Sequence, residues 1–72
     1  MNKEYSLKIF GNNVRVERLK KKLSQEKLAE IVNLSTVYIS NIENGKQNVS
    51  LKIAHKFSVL FNKSIDYLLS KH

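Results

Sequence analysis

The sequence contains no cysteine and no proline, and only two of its 72 residues are glycine. Without cysteine, no disulfide can brace the fold and no cysteine cluster can hold zinc. Without proline and with so little glycine, long stretches of chain can remain helical between polar turns. No linker or repeat divides the sequence, so residues 1–72 are expected to form one small domain. Its stability must come from an efficient helical core, or partly from dimerisation.

Long apolar runs and catalytic motifs are also missing. The N-terminal segment MNKEYSLKIF is too polar for a signal peptide or a membrane span, which favours a cytoplasmic protein without a membrane partner. The chain has no glycine-rich phosphate loop, no HExxH motif and no paired-carboxylate arrangement, and His55 and His72 are isolated. We therefore expect no enzymatic activity, no cofactor and no bound metal.

Acidic residues are few: six Asp and Glu oppose thirteen Lys and Arg, which gives a net charge of +7 and a pI near 9.9. This excess favours association with a polyanion through long-range attraction and the release of counterions. Nucleic acid, an anionic membrane and an acidic protein all remain open as partners on charge alone.

Polar residues mark where the helices begin and end. Four serines directly precede periodic segments and are suited to cap them: Ser24, Ser35, Ser50 and Ser64. Three residues follow such segments and are suited to a left-handed C-terminal cap: Asn33, Gly45 and Asn62. After a short N-terminal extension at about 1–8, the predicted helices span roughly residues 8–22, 25–32, 36–43, 51–61 and 65–70.

Apolar side chains recur at helical spacing and predict one core. The second helix offers Leu28, Ala29 and either Ile31 or Val32, and the third offers Ile39 and Ile42. The inward residues expected from the last two helices are Leu51, Ala54, Phe57, Leu60, Phe61, Ile65 and Leu68. An all-α, compact five-helix bundle is the simplest fold that buries these stripes together.

The predicted third helix has an outward face that is small and uncharged. If Ile39 and Ile42 point inward, the residues that point outward are Thr36, Val37, Ser40 and Asn41. An asparagine can pair with the N6 and N7 edge of adenine, and the methyl groups of threonine and valine suit thymine. Tyr38 lies at the margin, where it can pack at the helix edge or reach bases or phosphate. A merely solvated polar face is the alternative, but 26% of the chain is charged and this face is not.

The segment RLKKKLSQEKLAEIVNLSTVYISNIENGKQNVSL, followed by IDYLL, resembles the helix-turn-helix family of phage Cro and repressor proteins, also called the XRE family. The resemblance spans roughly residues 10–69. It implies a lambda-repressor-like fold with a helix-turn-helix motif at about 25–43. It also implies a transcriptional regulator that binds double-stranded DNA sequence-specifically, as a homodimer on a palindromic operator.

The resemblance also implies roles for individual residues. Family members use the outward positions of the third helix for base contacts, which here are Thr36, Val37, Ser40 and Asn41, with Tyr38 at the edge. The residues expected to contact phosphate are Gln25, Ser35, Asn44, Lys46, Gln47 and Asn48. Arg18 and Glu43 are expected to form a partly buried ion pair. Because Ile65 and Leu68 already serve the core, the expected dimer surface comprises Tyr67 and Leu69 of the last helix, together with Phe61 at the end of the fourth.

The chain departs from the family pattern at a few positions. Asn33 stands where the family has glycine in the turn, and Val49 stands where it has proline. Three roles are compatible with a chain of this kind: a phage-type repressor, a controller of a restriction-modification system and an antitoxin. A protein-interaction module with a protein partner, in which DNA binding is secondary, is a different class of hypothesis. Binding to single-stranded RNA is less favoured, because the outward face offers only Tyr38 for stacking.

Overall fold

The computed structural model describes the backbone of residues 3–72 and the side chains from Tyr5 onward. Within that range it consists of helices, which are α1 (Lys3–Lys20), α2 (Gln25–Val32), α3 (Thr36–Glu43), α4 (Leu51–Phe61) and α5 (Ile65–Leu68). The predicted all-α, five-helix architecture is confirmed. No helix in this part of the chain is both long enough and apolar enough to cross a bilayer.

The four serine caps predicted from the sequence are all present. Each serine has extended backbone angles, and its hydroxyl oxygen accepts a hydrogen bond from the backbone amide three residues later. These distances are 3.0 Å from Lys27, 3.0 Å from Tyr38, 3.2 Å from Ile53 and 2.9 Å from Tyr67. Each cap satisfies one amide that the helix itself leaves unpaired, and typically stabilises the fold by about 1 kcal/mol.

The predicted left-handed residues also adopt that conformation, with φ of 59° at Asn33, 54° at Asn62 and 72° at Gly45. After α2, the amide of Leu34 donates to the carbonyl of Ala29 at 2.9 Å, which closes the turn in the Schellman manner. Lys22 ends α1 in the same way with φ of 57°, and the sequence pattern did not indicate this.

The boundaries of α1 differ from the prediction. The helix already includes Lys3, so residues 3–8 are helical and do not form an extension; residues 1 and 2 of that extension lie outside the described residues. Leu7, Phe10 and Val14 follow helical spacing, and no proline or glycine interrupts the chain before Phe10. Helix α5 is shorter than predicted. The Asn13 side-chain amide donates to the carbonyls of Leu68 and Ser70, at 2.8 Å each, and thereby ties the chain end to α1.

The core lies where the helices converge, and its fully buried side chains are Val14, Leu28, Ile39, Ile42, Phe57 and Leu68. Val32, rather than Ile31, is the inward residue at the end of α2, because Ile31 is 46% exposed. The prediction for Leu51 was wrong: this residue is 75% exposed. It is the first residue of α4, and the buried stripe of that helix starts only at Ala54.

Helices α1 and α3 approach each other closely at Gly11. A Cβ atom at this position would collide with the carbonyl oxygen of Ile42, so only glycine lets the two helices pack at this distance. This contact sets α3 against the long first helix and leaves the opposite side of α3 facing outward.

Candidate nucleic-acid interface

The α2–turn–α3 unit is defined by the residues at the ends of its two helices. Ser24 caps α2, Asn33 makes the left-handed turn, and Ser35 caps α3. Buried Leu28 and Ile39 join the two helices to the common core. The turn and the core together present one side of α3 to the exterior.

The four predicted base-reading residues lie together on that side. Thr36 is exposed, Val37 is 71% exposed, and Ser40 and Asn41 are half-buried beside them. Within the described residues, the side chains of Thr36, Ser40 and Asn41 make no hydrogen bond with the rest of the protein. Their donors and acceptors are therefore available to the edges of bases.

Tyr38 occupies a different position. Its ring is half-buried against the core, and its hydroxyl donates to the backbone carbonyl of Asn48 at 3.3 Å. The side chain thus leans towards the loop after α3 and connects that loop to the helix. This contact joins the first turn of α3 to the predicted phosphate-contacting loop.

The residues predicted to contact phosphate surround α3. Ser35, Asn44, Lys46 and Asn48 are exposed, while Gln47 is half-buried. Gln25, at the start of α2, is half-buried, and its Nε2 donates to Glu43 Oε1 at 3.1 Å. Neither the sequence pattern nor the family resemblance indicated this hydrogen bond between α2 and α3. The start of α2 also contributes backbone amides and a favourable dipole for an anion.

Arg18 and Glu43 form the expected ion pair in bidentate geometry. Arg18 Nε donates to Glu43 Oε2 at 2.7 Å, and the terminal nitrogen Nη2 donates to Oε1 at 3.0 Å. The other terminal nitrogen donates to the carbonyl of Leu23 at 2.8 Å. The hydrogen bonds that Arg18 donates to Glu43 raise the pKa of Arg18, against the opposing effect of burial. Both side chains are largely inaccessible to solvent, with 10% and 2% exposure.

Ion pairing within the protein leaves its excess of positive charge intact, because each pair joins one cation to one carboxylate. Among residues 5–72, two carboxylates are buried and paired, Glu17 with Lys20 and Glu43 with Arg18. A third, Glu30, pairs with Lys27 at 3.3 Å. Lys21, Lys22 and Lys46 are exposed, and these cations give the exterior its positive character.

The predicted dimer surface is only partly exposed. Phe61 is 4% exposed and stacks on Phe57 with ring centroids 6.0 Å apart, so its assignment to this surface was wrong: it is a core residue. Tyr67 is half-buried and stacks on His72 at 4.0 Å, with Lys63 Nζ 4.7 Å from the centre of its ring. Leu69 is 39% exposed.

Sequence reasoning missed an apolar cleft beside Leu69. It has a volume of about 300 Å³ and is lined by Ser6, Leu7, Phe10, Val49, Leu51, Ala54, Ile65 and Leu69. The exposed side chain of Leu51 stands at this cleft. The large apolar residue at the first position of α4 was the available signal, but it was assigned to the core.

Comparisons with known proteins agree with the geometry. A helix-turn-helix family model matches residues 14–68. The control protein C.MunI from a Mycoplasma species is 42% identical over 62 residues, which cover 85% of this chain and 84% of that protein. The control protein C.BamHI from Bacillus amyloliquefaciens is 51% identical over 51 residues, which cover 69% of this chain and 63% of that protein.

Solved structures show the same arrangement. The restriction-modification controller protein C.AhdI from Aeromonas hydrophila superposes with a TM-score of 0.77 at 35% identity, covering 86% of this chain and 94% of that one. A hypothetical transcription factor from Neisseria gives a TM-score of 0.84 at 26% identity, covering 94% and 76%. The matched family is a class of DNA-binding regulators and not a class of enzymes. The chain therefore belongs to the Cro/repressor-type (XRE) helix-turn-helix family of DNA-binding transcription regulators.

Proposed function

We propose that this regulator acts as a homodimer on a palindromic operator, with α3 of each copy in the major groove of one half-site. The observation that carries the proposal is the outward face of α3, which is uncharged in a strongly basic protein. Base edges require hydrogen-bonding groups and methyl contacts, whereas phosphates require cations. The distribution of residues around α3 follows this division.

Asn41 is the residue we assign to the most specific base contact. Its amide is not used within the described protein and can pair bidentately with adenine. Thr36 and Val37 offer methyl groups for thymine, and Ser40 offers a hydroxyl to several bases. Tyr38 is proposed to support this face, since its hydroxyl is engaged by the Asn48 carbonyl.

Gln25 is the proposed phosphate contact at the start of α2, where the free backbone amides of the helix assist it. Ser35 and the exposed residues Asn44, Lys46 and Asn48 are proposed to hold the backbone on the other side, with Gln47 between them. Such contacts set the position of the protein on the duplex but carry little sequence information.

The second copy is proposed to cover the apolar cleft between Leu51 and Leu69. Their side chains are 75% and 39% exposed, although both are large and apolar. Burying such residues against a symmetric partner is favourable, at about 25 cal/mol for each Å² of apolar surface. Dimers of this kind place their two base-reading helices, here the α3 of each copy, about 34 Å apart, which is one turn of DNA.

The relatives favour one biological setting. The curated relatives compared above, C.MunI and C.BamHI, are control proteins, and a similar solved structure is a restriction-modification controller. We infer that this chain controls restriction-modification genes in the cytoplasm, in preference to a role as phage-type repressor or antitoxin. Deleting the gene beside an active restriction-modification locus is expected to change transcription of that locus; unchanged transcription would contradict this setting.

Selection from a random duplex library at a stated salt concentration tests the DNA-binding proposal. An enriched palindrome is the expected result, because two identical reading helices must recognise two identical half-sites. Enrichment of a non-palindromic site would contradict the dimer. No enrichment would favour the alternative, an interaction module whose main partner is a protein.

The assignment of Asn41 is tested by Asn41→Ala. The variant is expected to weaken binding to the selected operator by about 1–3 kcal/mol and to flatten the preference at one base position. Asn12→Ala is the matched control, because Asn12 is an exposed asparagine on α1 beside Lys71 and His72 and is not part of the outward face of α3. An unchanged base preference in Asn41→Ala would overturn the assignment.

Gln25→Ala tests the distinction between residues that position the protein on the phosphate backbone and residues that read the bases. We expect it to weaken binding to all sequences by a similar factor, because a phosphate contact is independent of sequence. The comparison is made by repeating the library selection with the variant. A changed base preference would show that Gln25 reads bases.

A further inference from the structure

The side chain of Glu43 connects helices α1, α2 and α3. Glu43 is the last residue of α3, and its carboxylate accepts hydrogen bonds from Arg18 of α1 and from Gln25 of α2. Arg18 in turn donates to the carbonyl of Leu23, in the turn before α2. One network therefore connects the end of the reading helix with the start of the helix that carries the proposed phosphate contact.

The hydrogen bond to Glu43 leaves part of the Gln25 side chain unused. A glutamine amide has two N–H donors and one carbonyl acceptor. One N–H points to Glu43 Oε1 at 3.1 Å, so the other remains available to a phosphate oxygen. With one donor held, the direction of the second is determined by the planar geometry of the amide.

The charge of Glu43 does not oppose this arrangement. An isolated carboxylate close to a phosphate-binding group would repel the DNA backbone. Here both carboxylate oxygens accept from Arg18, at 2.7 Å and 3.0 Å, and the guanidinium remains charged. The pair is neutral as a unit, so Glu43 can orient Gln25 at little electrostatic cost to DNA binding.

We propose that Glu43, held by Arg18, is a positioning residue that presets the Gln25 side chain for the DNA backbone and keeps it in register with α3. This inference rests on the proposed role of Gln25 at a phosphate. A side chain that is already ordered before binding loses less rotamer entropy on contact with DNA. The same carboxylate thereby sets the distance between the phosphate contact and the base-reading face.

The first test is a cycle of variants measured by binding to the selected operator. The pair is replaced by methionines, Arg18→Met with Glu43→Met, because paired hydrophobic residues are well tolerated at buried ion pairs. We expect this replacement to weaken binding about 5-fold when Gln25 is present, but less than about 2-fold in a Gln25→Ala background. Equal factors in the two backgrounds would overturn the proposal, since a purely structural role is indifferent to Gln25.

The second test uses the unmodified protein and does not depend on variant folding. We expect ¹⁵N relaxation to give the Gln25 side-chain amide an order parameter near the roughly 0.85 of rigid groups, and Gln47 a value below about 0.6. Gln47 is the internal control, because its amide bonds only the neighbouring Asn48 carbonyl, at 3.4 Å. Equal mobility of the two amides would overturn the proposal.

The outcomes separate this inference from the proposed function. A wild-type protein that shows no DNA binding overturns both. A protein that selects an operator, but shows independent losses in the cycle, retains its function and excludes the positioning role of Glu43.

Discussion

At the ends of the helices, the backbone conformation depends on single side chains. Asn33, Asn62 and Gly45 adopt left-handed φ values that asparagine and glycine tolerate better than other residues. Lys22 adopts φ of 57° without either advantage. Its amide still donates to the carbonyl of Leu19 at 2.9 Å, and the following amide, that of Leu23, closes on Arg18 at 3.1 Å. The turn between α1 and α2 therefore forms at the expense of a strained lysine.

Replacing this lysine with glycine is expected to stabilise the protein. Lys22→Gly removes a left-handed penalty of about 1–2 kcal/mol, and the greater freedom of unfolded glycine offsets about 0.5–1 kcal/mol of that gain. The net increase of roughly 0.5–1 kcal/mol corresponds to a melting temperature higher by about 2–8 °C in a domain of this size. Thermal unfolding followed by circular dichroism measures it.

Lys21→Gly is the matched control for that change. Lys21 is also an exposed lysine in the same turn, but it does not have positive φ. The Lys21→Gly variant should have a lower melting temperature, because glycine at this position relieves no strain and only increases the entropy of the unfolded chain. If both variants shifted stability in the same direction, left-handed strain at Lys22 would be excluded.

At the scale of elements, the position of α3 depends on how closely α1 approaches it. Gly11 permits that approach, since a side chain there would meet the Ile42 carbonyl. The Arg18–Glu43 pair joins the same two helices near their C-terminal ends. Backbone proximity and the buried ion pair therefore both determine the orientation of the reading helix.

Gly11→Ala is expected to destabilise the protein although alanine is the better helix former. The gain in helix propensity is about 1 kcal/mol, whereas forcing a methyl group against backbone requires α1 and α3 to separate, at a cost of typically 1–3 kcal/mol or more. Urea unfolding measures the balance. Asn12→Ala, at the exposed neighbouring position of α1, should leave stability unchanged or raise it slightly. A Gly11→Ala variant as stable as the wild type would show that the contact is not tight.

At the scale of the whole molecule, a domain this small buries a limited fraction of its surface. Among the residues whose side chains the structure describes, eleven apolar residues are buried in the core, yet Leu51 and Leu69 remain outside it at the cleft. A symmetric partner that covers them would supplement the core of each copy. Folding stability, dimerisation and operator binding are therefore expected to depend together on protein concentration.

Leu51→Lys tests the proposed dimer face. A charge at this exposed position should not disturb the folded monomer, but it would be buried without a partner in the dimer. Sedimentation should therefore show a weaker dimer, and operator binding should require higher protein concentration. Val59→Lys is the control, because Val59 is 66% exposed but lies on a different face, beside Ile31 and His55. Equal weakening by both substitutions would exclude a localised interface.

Features that depend on neighbouring residues in sequence could be predicted. The four serine caps, the left-handed Asn33 and the buried Ile39 and Ile42 follow from local backbone chemistry and helical periodicity. The start of α1 was missed because the segment before Phe10 is polar, although Leu7 continues the helical spacing. Phe61 was assigned to both the core and the dimer surface, since periodicity alone does not show which neighbour covers a side chain.

The sequence by itself determined that this chain forms capped helices around a helix-turn-helix motif, and which side of α3 is polar and uncharged. These properties reside in short segments, where each cap or apolar stripe acts within a few residues. Only the tertiary structure decided that Gln25, Arg18 and Glu43 share one network, that Gly11 sets the α1–α3 distance, and that Leu51 stays exposed. These contacts join residues on separate helices, so they follow from packing geometry, which local periodicity does not encode.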